Sequence, residues 1–68
     1  MLLRFGTSVR RIRQGLNLSQ EELAHRAGLN RTYVGAVERG ERNIGLRNIA
    51  ALATALSVDI EDLFEGWS

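Results

Sequence analysis

Apolar residues recur at helical spacing along almost the whole chain. Leu2, Phe5, Val9, Ile12 and Leu16 step by three and four positions, which lays them on one stripe of a helix. The pattern returns at Leu23 and Ala27, at Val34 and Val37, and at Leu46, Ile49, Ala53 and Leu56, and it closes with Ile60, Leu63 and Phe64. Strand-like alternation is hard to find. Helix starts carry a repeated local signal: an apolar residue, a small or polar cap, then an apolar residue four positions into the helix. Leu18–Ser19–Leu23, Leu29–Asn30–Val34, Ile44–Gly45–Ile49 and Val58–Asp59–Leu63 all fit, and Glu22 completes a capping box with Ser19. Asn17, Gly28, Gly40, Ser57 and Gly66 stand just past each periodic segment, where a left-handed residue ends a helix. Ser57 is the weakest of these stops, since serine has no special tolerance for positive φ. The pattern predicts five helices, near 2–16, 20–27, 31–39, 46–56 and 60–65, joined by very short connections. The expected class is all-α, with residues 1–68 forming one compact domain.

Composition narrows the function. The 68 residues are 44% hydrophobic and 25% charged, too apolar for a disordered tail. There are no cysteines and one histidine, His25, so disulfide frameworks and thiolate metal sites are excluded and no cofactor is expected. His25 reads as a surface residue. No apolar run approaches the roughly 20 residues of a membrane span, and Met1 to Phe5 is too short for a signal-peptide core. A soluble, cytoplasmic protein is expected, with no membrane partner. A single core of this size is marginal, so a second copy is an expected partner.

Charge is distributed unevenly. Nine arginines face four glutamates up to Arg47, a net of +5, whereas Asn48 onward carries four acids and no base, a net of −4. One end suits an anion. Scattered surface charge is the plain alternative.

The short break around Gly28 between the second and third segments has helix-turn-helix spacing, over about residues 20–39. Gln20–Glu21–Glu22–Leu23–Ala24–His25–Arg26–Ala27–Gly28–Leu29, continuing through Val34 and Val37 to Glu38–Arg39–Gly40, resembles the lambda-repressor-like (XRE) family of DNA-binding proteins. Leu23, Ala27, Leu29, Val34 and Val37 would form the wedge between the two helices. More narrowly, Asn30–Arg31–Thr32–Tyr33–Val34 and Val37–Glu38–Arg39–Gly40–Glu41–Arg42–Asn43–Ile44 are similar to the controller proteins of restriction–modification systems. That resemblance implies a small dimeric regulator binding a palindromic double-stranded operator, with RNA polymerase as a candidate second partner. Asn17 and Ser57 stand where the family usually has glycine, and Gly35 where controllers often carry serine.

Helix-turn-helix proteins place the second helix of the motif in the major groove. With Val34 facing the core, Thr32, Gly35, Ala36 and Arg39 are expected to face outward. Arg31 is the leading candidate for base reading, because its planar fork matches guanine O6 and N7. Thr32 suits a thymine methyl, while Gly35 and Ala36 would permit close approach. Gln20, Tyr33, Arg39, Arg42 and Asn43 are candidates for phosphate or sugar contacts, which position the protein without reading sequence. The resemblance further implies an ion pair between Arg13 and Glu38, a structural role. Arg10 and Arg11 read as solvated or field-setting charges. Ile60, Leu63, Phe64 and Trp67 are the candidate dimer patch. Ile60 and Leu63 are expected to cover the inward face of the last helix, leaving Phe64 and Trp67 as apolar surplus. The alternative for both aromatics is closure of the monomer core.

Catalysis has little to work with. No nucleophile–base pair or phosphate-cradling glycine loop is recognisable, so a non-enzyme is expected. A phage-type or antitoxin-type repressor and a protein-interaction adaptor remain the competing readings. Steep salt dependence separates DNA binding from an apolar adaptor surface. In 68 residues little room remains for a ligand-sensing domain. No small-molecule ligand is expected, and the regulator's own concentration would set its threshold.

Overall fold

The computed structural model describes residues 2–64, apart from the side chain of Leu2. Gly66 and Trp67 lie outside the described residues. The elements are α1 (Leu2–Gly15), α2 (Gln20–Ala27), α3 (Arg31–Glu38), α4 (Leu46–Leu56) and a 3-10 turn, Ile60–Phe64. The expected all-helical class holds among the described residues, with four α-helices and a 3-10 turn rather than five helices. The last segment spans only five residues, and its Asp62 amide bonds the Asp59 carbonyl three positions back. The Asp62 carboxylate in turn accepts the Asp59 amide at 2.9 Å. So short a segment closes tight three-residue turns without propagating an α-helix.

Local signals explain the other boundaries. Ser19 Oγ accepts the Glu22 amide at 2.9 Å, and the Glu22 carboxylate accepts the Ser19 amide at 2.8 Å, closing the capping box of α2. Asn30 caps α3 by accepting the Thr32 amide at 2.7 Å. Gly45 caps α4 without a side-chain bond. Asn17, Gly28, Gly40 and Ser57 all take positive φ, between 59° and 73°. The weakest of the expected stops, Ser57, therefore works as one. Its amide bonds the Ala53 and Thr54 carbonyls, which offsets the strain of a left-handed serine. Two ends fall one residue short of expectation. α1 stops at Gly15, so Leu16 leaves the apolar stripe and is 49% exposed. α3 stops at Glu38, with Arg39 as its cap.

One core unites these elements. Phe5 and Val9 of α1, Leu23 of α2, Val34 and Val37 of α3, and Leu52 and Leu56 of α4 are buried together with Leu63. Ala27 and Leu29 pack partly buried at its edge, completing the wedge between α2 and α3. α1 rests chiefly on α3, and α2 on both α3 and α4. The α1–α3 crossing is so close that a Cβ on Gly6 would collide with the backbone carbonyls of Val37 and Glu38. The glycine that lowers helix propensity in α1 is what lets the two backbones meet. Among the described residues no helix is long and apolar enough to cross a membrane.

Candidate nucleic-acid interface

The N-terminal turns of α2 and α3 flank a shallow concavity lined by Arg13, Ser19, Gln20, Glu21 and Arg31. The Asn30 cap sets the first turn of α3, and Arg31 and Thr32 leave the helix start exposed to solvent. Amide groups and the positive end of the helix dipole gather there as well. This is the end that sequence reasoning assigned to base reading.

Beneath it lies a buried carboxylate. Glu38 is 3% exposed, and its Oε2 accepts Arg13 Nε at 2.6 Å while Oε1 accepts Arg13 Nη2 at 3.0 Å. Arg13 Nη1 donates to the Leu18 carbonyl at 2.8 Å. Gln20 Nε2 also donates to Glu38 Oε1 at 3.0 Å, and Arg10 Nε stands 3.7 Å from the same oxygen. The charge is thus surrounded by donors from α1 and α2, which is the condition for burying a carboxylate at tolerable cost. The ion pair is present, and Arg10, read as solvated, contributes a more distant second cation.

Gly35 and Ala36, expected on the outward face, are buried. Gln20 and Arg39 fold over the helix at this point. A Cβ on Gly35 would stand 3.2 Å from Arg39 Nη1 and 3.4 Å from Gln20 Oε1. The helical wheel gives direction correctly but says nothing of long side chains that return over the surface. Arg39 is itself held by Glu41, its Nε 3.1 Å from Glu41 Oε1.

A second cluster organises the loop after α3. The half-buried Tyr33 donates its hydroxyl to the Asn43 carbonyl at 3.5 Å and accepts Asn48 Nδ2 at 3.2 Å. The Arg42 guanidinium lies 5.3 Å from the centre of the Tyr33 ring, a cation–π stack. Tyr33 therefore fixes the loop that carries Arg42 and Asn43, whose side chains are exposed. Asn48 and Glu41 escaped sequence reasoning. Asn48 meets Tyr33 only through the tertiary fold, and the near neighbours Arg39 and Glu41 were the one signal that pointed to their pairing.

The candidate dimer patch is partly consumed by the monomer. Leu63 is fully buried, and the half-buried Phe64 packs its ring 5.2 Å from that of Phe5. Ile60, expected to face inward, is 40% exposed instead. The tight 3-10 turn swings Leu63 and Phe64 onto α1 and leaves Ile60 outside. Ile60 borders an open groove lined by Ala50, Ala53, Thr54, Val58, Asp59 and Glu61. Leu46, at the start of α4, is 74% exposed. His25 is exposed beside Glu21, Glu22 and Arg26, and the described residues hold no group of three or more potential metal ligands.

Comparison with known proteins matches residues 9–63 to a helix-turn-helix family. The control protein C.BamHI of Bacillus amyloliquefaciens is 47% identical over 64 residues, covering 93% of this chain and 79% of that protein. Among solved structures, the restriction–modification controller protein C.AhdI from Aeromonas hydrophila is 52% identical with a TM-score of 0.92, over 93% of this chain and 96% of that one. The tetramer of the controller C.Esp1396I in complex with its natural 35-base-pair operator is 30% identical with a TM-score of 0.86. It covers 94% of this chain and 84% of that one.

Proposed function

The chain belongs to the helix-turn-helix family and, within it, to the control proteins of restriction–modification systems, DNA-binding regulators of transcription; on that footing we propose that it binds a palindromic operator as a homodimer. The observation that carries this reading is the capped start of α3, which holds Arg31 and Thr32 in solvent at the positive end of the helix, beside Gln20. The relative C.Esp1396I, of the same fold, is solved on its operator.

Arg31 reads guanine through its two-pronged fork, and Thr32 touches a neighbouring base edge. Arg42, steadied on Tyr33, and Asn43 meet the backbone from the loop after α3, with Tyr33 itself at the sugar–phosphate edge. Gln20 spends one amide hydrogen on Glu38 and turns the other to a phosphate at the start of α2. Arg39 supplies a further phosphate contact, and Gly35 and Ala36 allow close approach once the side chains above them move. Residues 1–68 act as one DNA-binding domain.

A second copy covers the face of α4 on which Leu46, Ala50 and Thr54 follow at four-residue steps, together with Ile60. Two-fold symmetry then presents two α3 helices to the two halves of the operator. Dimerisation makes occupancy depend on the protein's own concentration, without a small-molecule effector. The protein acts in the cytoplasm, where the operator and RNA polymerase are, and it is a binding protein rather than an enzyme.

Selection of binding sites from random duplexes tests the reading. A two-fold symmetric consensus whose affinity falls steeply with salt supports it. Recovery of no consensus, with salt-independent capture of proteins instead, favours an adaptor.

A further inference from the structure

Gly35 and Ala36 sit in the middle of the helix that docks on DNA, yet both are covered. The cover over Gly35 includes the Arg39 guanidinium, whose Nη1 occupies the space just beyond a missing Cβ. The Nε of the same group is 3.1 Å from Glu41 Oε1. One arginine is thus held between the surface of α3 and a loop carboxylate.

The backbone that carries this carboxylate is anchored. Gly40 takes a left-handed φ of 73°, and the Glu41 amide bonds the Ala36 carbonyl at 2.9 Å. Glu41 therefore springs from a fixed point at the end of α3. Both side chains of the pair are about half exposed, 49% for Arg39 and 58% for Glu41. An ion pair in that setting is weak enough to be exchanged for another anion. Glu41 also lies between Arg39 and Arg42, in the segment that carries cations toward DNA. A carboxylate among these cations either repels phosphate directly or acts through the cation it pairs with, and the pair with Arg39 favours the second.

We infer that Glu41 tempers DNA affinity through Arg39: it holds the guanidinium folded over Gly35 in the free protein and competes with phosphate for it. When α3 docks, Arg39 exchanges Glu41 for a backbone phosphate and uncovers Gly35. The inference rests on the DNA-binding reading above. The relevant contact is sequence-independent, so a duplex of mixed sequence is a sufficient probe.

The test is a double-mutant cycle on that duplex, comparing wild type, Glu41→Gln, Arg39→Gln and the double variant by fluorescence anisotropy. Glu41→Gln keeps side-chain shape, Arg39→Gln shortens the side chain and removes its charge, and thermal melts confirm that each variant is folded. Glu41→Gln should tighten binding by about twofold to fivefold, the range of an exposed ion pair. Most of that gain should vanish when Arg39 is already glutamine. An equal gain in both backgrounds shows that Glu41 repels DNA directly and overturns the inference, as does no gain in either. In those cases wild-type binding still stands, and with it the functional reading. If wild type binds no duplex at all, the functional reading falls and takes this inference with it.

Discussion

Arg13, near the end of the first helix, places its Nε 2.6 Å and its Nη2 3.0 Å from the two carboxylate oxygens of Glu38, the last residue of the third. Glu38 has no exposed side-chain surface and Arg13 only 11%. The bidentate geometry ties the base of α3 to α1, and Gln20 adds α2 to the same carboxylate.

Removing one partner should therefore be worse than removing both. Arg13→Met or Glu38→Leu alone strands a charge, at a cost of about 3–5 kcal/mol, whereas the double apolar variant also removes the desolvation penalty. Urea unfolding of the three variants measures this. Equal, small losses in both single variants show that the pair is unimportant.

Gly6→Ala tests the α1–α3 crossing. Its Cβ would meet backbone carbonyls, which cannot step aside as a side-chain tip does. A loss of about 1–3 kcal/mol is expected from overpacking, although alanine is the better helix former. Gly15→Ala, with nothing within 4 Å of the new Cβ, is the control and should not destabilise α1 by crowding.

The capping box gives a pH signature. Hydrogen bonds from Ser19, first from its backbone and then from its side chain, hold the Glu22 carboxyl below its ordinary value of 4.5, with a smaller pull from Arg26. The folded state therefore releases this proton more readily than the unfolded chain. The contribution of Glu22 is fully present above pH about 4.5 and is lost as pH falls through the lowered folded value. Glu22→Gln keeps an acceptor without titrating, so its melting temperature should fall less steeply than wild type on acidification below that point. Ser19→Ala should cost about 1 kcal/mol at neutral pH. Parallel acid profiles for wild type and Glu22→Gln speak against the coupling.

Most of the fold was legible because its signals are local. Ser19, Asn30 and Gly28 act within a turn of their own position, and Phe5, Val9, Leu23, Val34 and Leu56 bury themselves where the period places them. The errors arose where distant parts meet. Period alone cannot show that Phe64 finds the Phe5 ring. It likewise cannot show Arg39 and Gln20 lying across Gly35, or Asn48 bonding Tyr33.

The dimer face is checked by sedimentation. Leu46→Asp with Ile60→Asp places two charges on surface that is 74% and 40% exposed in the single chain, so the monomer should stay folded. The expected result is a shift from dimer to monomer at micromolar concentration, with operator binding lost in step. An unchanged dimer moves the interface elsewhere.

The most direct test of DNA reading is titration of Arg31→Ala against the selected operator and against operators with single substitutions. The loss should be about 1–3 kcal/mol on the full operator and should nearly disappear when the guanine read by Arg31 in each half-site is already replaced. A loss of the same size on every sequence would contradict the assignment of Arg31 to base reading, and no loss on any would contradict docking through the start of α3.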